Sequence, residues 1–151
     1  MEELRIEKIM DGTVIDHIPN GNAINVIRIL GVGSDSTASI GINVPSSSMG
    51  SKDIVKIEGK FLSTVEIAKL AMVAPKATIN IIKKYKVERK LNVEVPDKIV
   101  GIVKCINARC ITLSREPIKS EFYIISSDPI VIKCVYCEIE MDGARIHENI
   151  I

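Results

Sequence analysis

Residues 53–87 read DIVKIEGKFLSTVEIAKLAMVAPKATINIIKKYKV, and their order of strand, capped helix and strand decides the fold. Asp53–Glu58 (DIVKIE) is a strand candidate rich in β-branched residues. Ser63-Thr64-Val65-Glu66 is a capping box: the Ser63 hydroxyl can accept from the amide three residues on, and Glu66 can reach back to the cap amide. Behind it Ile67, Leu70, Ala71 and Ala74 recur at helical spacing, and Pro75 closes the run. Ala77–Val87 (ATINIIKKYKV) then reads as one long, β-branched strand.

Working outward toward the N-terminus, Ala38–Val44 (ASIGINV) is a strand closed by Pro45 and a serine-rich loop. Ala23, Ile27 and Leu30 share the spacing of one helical face, and Gly31 and Gly33 stop that helix. Thr13–Ile18 (TVIDHI) is a strand broken by Pro19-Asn20-Gly21, and Arg5–Ile9 is a shorter candidate before it. Leaving that short piece aside, the order is β-α-β-β-α-β. This is an α+β, ferredoxin-like sandwich, with two helices on one face of an antiparallel sheet. The other face stays uncovered. Strand parity places Lys52, Ile54 and Lys56 on one side of their strand, and Thr78, Asn80 and Ile82 on one side of theirs. Such a face suits a small polar ligand with an apolar ring, although exposed antiparallel faces are commonly polar without any ligand.

Toward the C-terminus, Asn92-Val93-Glu94-Val95-Pro96-Asp97 carries a proline and turn formers, so residues 92–97 are expected to link two modules, 1–91 and 98–151. The second module has short strand-like runs (IVGIVKC, CITL, FYIIS, PIVIKC) and no evident helix. So small a β-rich module needs a staple. All four cysteines lie in it, as Cys105-x4-Cys110 and Cys134-x2-Cys137. Two close pairs at strand ends can supply four thiolates in a tetrahedron, the donor set zinc prefers. Two disulfides or four buried thiols are the alternatives. A four-thiolate shell leaves no open position for water, so a zinc ion here is structural.

Of the 151 residues 46% are apolar and 26% charged, with a net charge of +1. That balance offers no general attraction for nucleic acid or anionic membrane. Five aromatic residues, three Tyr and two Phe, also argue against stacking of single-stranded bases. The opening MEELRIEKIMDG lacks a signal-peptide core, and no run approaches the ~20 apolar residues of a membrane span. The chain therefore reads as soluble and cytoplasmic, a reducing setting in which clustered cysteines bind metal.

Several segments resemble the regulatory chain of aspartate carbamoyltransferase: Gly12–Pro19 (GTVIDHIP), Met49–Asp53 (MGSKD), Lys56–Glu58, Ala74–Asn80 (APKATIN) and the two cysteine pairs, in order along nearly the whole chain. The resemblance implies a nucleotide-binding domain followed by a zinc domain, without catalytic activity in this chain. It implies regulatory-chain homodimers, attachment of the zinc domain to a separate catalytic chain, and ATP and CTP as effectors that act in opposite senses. The residues it places at the nucleotide are Asp16, His17, Lys52, Lys56, Thr78, Asn80, Ile82, Tyr85, Val87 and Lys90, with Ile6, Glu7, Lys8 and Ile9 bordering the pocket. Ser47 stands where the family leads one to expect glycine. Lys52, Lys56 and Lys90 are point charges suited to a triphosphate, and Asp16 is an acceptor for hydroxyls or an exocyclic amine. The alternative function is a zinc-ribbon nucleic-acid-binding factor, which the charge balance disfavours. A small enzyme using Asp16 and His17 lacks a nucleophile or second carboxylate nearby in sequence.

Overall fold

The computed structural model describes residues 9–151, and the elements run β1 (Gly12–Ile18), α1 (Ala23–Ile29), β2 (Ala38–Ser46), β3 (Gly50–Glu58), α2 (Thr64–Val73), β4 (Thr78–Lys83), β5 (Lys86–Asn92), β6 (Lys98–Val100), β7 (Glu121–Ser127), β8 (Ile130–Cys134), β9 (Glu140–Asp142) and α3 (Gly143–His147). A 3-10 turn, Ile111–Leu113, lies between β6 and β7. The first sheet has the order β2-β3-β1-β4-β5 and is antiparallel throughout. Its first four strands have the ferredoxin-like arrangement, with α1 and α2 as the connections between strands. The second sheet, β6-β7-β8-β9, is also antiparallel.

Local sequence accounts for most of the elements. Ser63 Oγ accepts from the Glu66 amide at 3.2 Å and Glu66 Oε1 accepts from the Ser63 amide at 3.0 Å, so the capping box is complete. Ser63→Ala should cost about 1 kcal/mol of stability, read as a lower denaturant midpoint with an unchanged slope. At the end of α1 the Gly31 amide donates to the Arg28 carbonyl and the Val32 amide to that of Ile27. This pairing satisfies the last helical carbonyls and requires a left-handed residue, which Gly31 supplies with φ +64°. Gly12 is required for a different reason: a Cβ there would run into the Ile57 carbonyl of the neighbouring strand.

Four expectations need correction. Ala77–Val87 is not one strand but a hairpin, β4 and β5, turning at Lys84 and Tyr85 with φ of 52° and 65°. A two-residue turn of this hand normally uses Asn or Gly, so the sequence carries no turn signal. Here the turn is held from outside, by the Tyr85 amide on the Met10 carbonyl and the Lys84 amide on Asp11 Oδ1. Pro45 does not close β2 but lies within it, which is tolerated because β2 is an edge strand. The run CITL is not a strand, since Ile111–Leu113 forms the 3-10 turn, while the left-handed residue of the turn between β2 and β3 is Gly50 at φ +76°, not the serine at position 47. The second module contains a helix, the five-residue α3, too short to show periodicity in sequence. The candidate strand Arg5–Ile9 lies outside the described residues except for Ile9, which is in no strand.

Leu70, Ala71, Met72 and Val73 are all buried, four in succession. One amphipathic stripe cannot bury four consecutive residues. The end of α2 is covered twice, by the first sheet's core and by α3 of the second module, which it meets. Ile99, Ile102, Val103, Phe122, Ile132, Met141 and Ile146 extend the same apolar core into the second module. Among the described residues no helix is long and apolar enough to cross a membrane.

Candidate functional site

Two places gather chemistry-bearing side chains. The first is the cysteine cluster. Cys134 ends β8, where the chain turns with the Glu138 amide on the Cys134 carbonyl (3.0 Å) and Glu138 left-handed at φ 65°. The opposite pair follows the segment in which Val103 bridges Ile150, and a second turn bonds the Cys110 amide to the Asn107 carbonyl at 2.9 Å. Cys105 Sγ lies 3.6 Å from Cys137 Sγ, and Cys110 Sγ 3.7 Å from Cys134 Sγ. All four sulfurs lie within 4.8 Å of one another, and none is in a disulfide. A tetrahedral ion with metal–sulfur bonds of ~2.3 Å requires sulfurs roughly 3.8 Å apart. A disulfide requires ~2.05 Å. The donor set and its spacing therefore fit a metal.

Burial pushes the Cys105 thiol far up from its ordinary value, and burial likewise raises Cys134. Cys137 goes the other way. Burial opposes its ionisation, but hydrogen bonds from the Asn107 side chain, the Ile139 amide and the neighbouring thiols bring it down to about 7. The Cys137 thiolate thus forms readily near neutral pH, and a cation must draw the protons from Cys105 and Cys134.

The second place is the uncovered face of the first sheet. Register pairs Lys56 with Val14, Val14 with Asn80, and Asn80 with Lys90. These four residues form one row across β3, β1, β4 and β5. A cavity of ≈ 390 Å³ lies over the row, within the roughly 300–1,000 Å³ of small-molecule sites. Of the residues anticipated at the nucleotide, Ile9, Asp16, Lys56, Asn80, Ile82, Tyr85, Val87 and Lys90 line it. Val14 also lines it and was not anticipated. It shares a strand face with Asp16, two residues on, so parity applied to β1 would have found it.

Lys52, His17 and Thr78 do not line the cavity but stand behind Asp16. Lys52 Nζ lies 2.9 Å from Asp16 Oδ1 and 3.1 Å from its Oδ2. The His17 amide donates to Asp16 Oδ1 at 2.6 Å, and His17 Nδ1 lies 3.2 Å from Thr78 Oγ1. His17 has φ 60°, at the bulge where β1 loses register with β3. Ile6, Glu7 and Lys8 lie outside the described residues.

Charge separates this cavity from a larger one. A cavity of ≈ 970 Å³ near the β4–β5 turn is lined by Asp11, Asp35 and Glu58, and its Lys60 is paired with Glu66 at 2.8 Å. That acidic lining repels a polyanion. On the sheet face Asp16 is matched by Lys52, leaving Lys56 and Lys90, among the described residues, as surplus positive charge in the smaller cavity. Ile9, Val14, Ile82 and Val87 beside them offer apolar surface for a ring. The arrangement can hold an anion joined to a flat, partly apolar group.

One residue that holds this architecture carries no local signal in sequence. Asp53 is fully buried, and its carboxylate accepts from three amides: Gly21 (2.9 Å), Ala23 (3.0 Å) and Asn43 (3.0 Å). It fixes the start of α1 and the bulge of β2. In sequence it is merely the first residue of a strand candidate.

Comparison with known proteins matches residues 4–94 to the model of the aspartate carbamoyltransferase regulatory chain, allosteric domain. Residues 97–147 match that of the same chain's metal-binding domain. The aspartate carbamoyltransferase regulatory chain of Thermoplasma acidophilum is 53% identical over 137 residues, covering 89% of this chain and 91% of its own. That of Thermoplasma volcanium is 50% identical over 152 residues, covering 98% and 100%. That of Pyrococcus furiosus is 50% identical over 153 residues, covering 99% and 100%.

Proposed function

The chain belongs to the family of aspartate carbamoyltransferase regulatory chains, and on that premise we propose that it is a non-catalytic subunit that binds ATP and CTP in its first domain and attaches through a zinc-stabilised second domain to a separate catalytic chain of pyrimidine biosynthesis in the cytoplasm. The observation that carries the nucleotide assignment is the row Lys56–Val14–Asn80–Lys90 beneath a cavity with surplus positive charge. Lys56 and Lys90 hold phosphate oxygens. Asp16, oriented by Lys52, accepts from ribose hydroxyls or a base amine, and the apolar residues take the base.

Zinc suits the four thiolates because it is soft and tetrahedral. When bound it supplies a closed structural crosslink. The division of labour follows: residues 1–91 receive the effector, residues 92–97 link, and residues 98–151 make the attachment.

The proposed homodimer has a suitable edge. β2 (ASIGINVPS) carries no charge and exposes Ile40 and Ile42, whereas the opposite edge, β5, carries Lys86, Glu88, Arg89 and Lys90. Charged edges resist pairing with another strand.

The test is calorimetric titration of CTP and of ATP into the full chain and its Lys56→Ala variant. A lysine–phosphate contact contributes ~1.5–3 kcal/mol, so the variant should bind about 10- to 100-fold more weakly. The side chain is not buried, and the fold should be unaffected. Affinities unchanged in both Lys56→Ala and Lys90→Ala would remove the assignment.

A further inference from the structure

The two modules meet along α1, α2 and α3, and this seam contains an ionisable group that nothing above uses. Arg28, in the last turn of α1, donates from Nη2 to the backbone carbonyl of His147 at 3.1 Å. The same Nη2 donates to Asn25 Oδ1 at 2.9 Å, which fixes the guanidinium against the seam. His147 is the last residue of α3 and is half-buried. Ile146 beside it is fully buried in the shared core. We propose that Arg28 and His147 form an acid-released latch between the two modules: docked while the imidazole is neutral, loosened when it takes a proton.

The charges around the ring support this. From α1 the Arg28 guanidinium stands on the residue's own carbonyl; from α2 the Met72 backbone meets the ring; on its own chain, Glu148 follows it. Burial disfavours the imidazolium most, and Arg28 adds to this. The Met72 backbone and Glu148 favour the imidazolium but do not outweigh the first two, so the docked state holds the ring's pKa below its ordinary value. The sign follows from linkage. Undocked, the ring returns to water and titrates near pH ~6.5. The undocked state then binds more protons, so acid favours it. The docked seam carries no penalty above that pH, and a growing one as pH falls through it.

Arg28 itself cannot relieve the strain by losing its charge. Protonation therefore sets two cations against each other at a contact where one of them also bonds the other residue's carbonyl. His147 is ten positions beyond the last cysteine, away from the metal cluster in sequence.

The test is nuclear magnetic resonance on the metal-loaded full chain between pH 7.5 and 6.0. ¹⁵N relaxation reports whether the two modules tumble as one body, and the His147 ring carbon shift reports its protonation. At the upper pH both modules should share one correlation time. At the lower pH the second module should reorient faster than the first, following the His147 titration curve. In His147→Gln the modules should stay coupled across the range; acid loss of metal would act on both proteins alike and cannot produce this difference. Arg28→Met should shift the His147 midpoint to higher pH. Decoupling that persists in His147→Gln, or a seam indifferent to pH while His147 titrates, would overturn the latch, as would a midpoint that Arg28→Met leaves in place.

Discussion

Chelation of the metal should unfold the second module and leave the first sheet standing. In the full chain treated with a strong chelator, β6 to β9 and α3 should lose their dispersed amide resonances and become sensitive to protease, while β1 to β5 keep theirs. The magnitude makes this a large effect. A structural zinc ion contributes ~10–16 kcal/mol to folding in small zinc modules, as much as or more than the roughly 5–15 kcal/mol that keeps a whole domain folded. The module's own core is short: Phe122 is its only buried aromatic, and β6 and β9 are three residues each. Cys110→Ala should have the same outcome without chelator. Acid should mimic both, because Cys105 and Cys134 hold their protons tightly without a cation and metal release follows their protonation. Losses confined to residues 135–139 would contradict this account, since the metal would then order only a turn. Some loosening at the end of α2 is expected, because Met72 and Val73 are buried in the core shared by both modules.

The second large effect should come from Asp53→Ala in the first module. Removing the carboxylate leaves the buried Ala23 amide without an acceptor and takes a charged partner from the amides of Gly21 and Asn43, which lie nearer the surface. The unpaired buried donor costs ~1–3 kcal/mol, and the two nearer the surface recover most of theirs from water, so a loss of about 2–4 kcal/mol is expected. At roughly 2–4 °C per kcal/mol for a chain of this length, the melting temperature of the first module should fall by on the order of 10 °C. Asp53→Asn should be intermediate: its oxygen can still serve one side, but its NH₂ faces a donor on the other. Thermal melts of the metal-loaded proteins check the order wild type, Asn, Ala. Equal stability of all three would mean that the α1 start and the β2 bulge are held by something else.

Both effects bear on what was legible beforehand. The capping box at Ser63 and Glu66 was readable because its partners are three residues apart, and the strand-helix order around it followed. The cysteine pairs were readable because metal chemistry needs particular donors in particular numbers, and few folds bring four thiols together otherwise. Asp53 was not, because its three donors come from residues 10 to 32 positions away and only the folded chain brings them in. The β4–β5 turn was not, because Lys84 and Tyr85 have no intrinsic preference for the left-handed region; bonds to Met10 and Asp11 impose it. α3 was hidden by its length, and the double burial of α2 by the fact that one of its two covers lies in the other module.

On the sheet face, residue types and parity indicated Lys56 and Asn80, and the family resemblance added Asp16, Tyr85, Val87 and Lys90. What sequence could not supply is the pairing. Only the register shows that Lys56 and Lys90, on strands separated by two others, stand in one row. Nor could it show that Lys52 is engaged by Asp16 while Lys56 and Lys90 face the cavity. That distinction gives Lys52 a role in orienting Asp16 and, in the proposed function, leaves the phosphates to the other two. The β4–β5 hairpin matters for the same reason: β5 brings Val87 and Lys90 back beside Asn80.

An effector shifts an enzyme only if it binds two global states with different affinity. Reconstitution therefore tests the regulatory role. The metal-loaded chain is mixed with the catalytic chain of aspartate carbamoyltransferase, the complex is isolated by size, and aspartate saturation is measured with and without ATP and CTP. The two chains should co-migrate and each nucleotide should move the half-saturation point, with Lys56→Ala needing about 10- to 100-fold more nucleotide for the same shift while co-migration persists. Chains that elute apart, or saturation curves that superimpose with and without nucleotide in an assembled complex, would contradict that role.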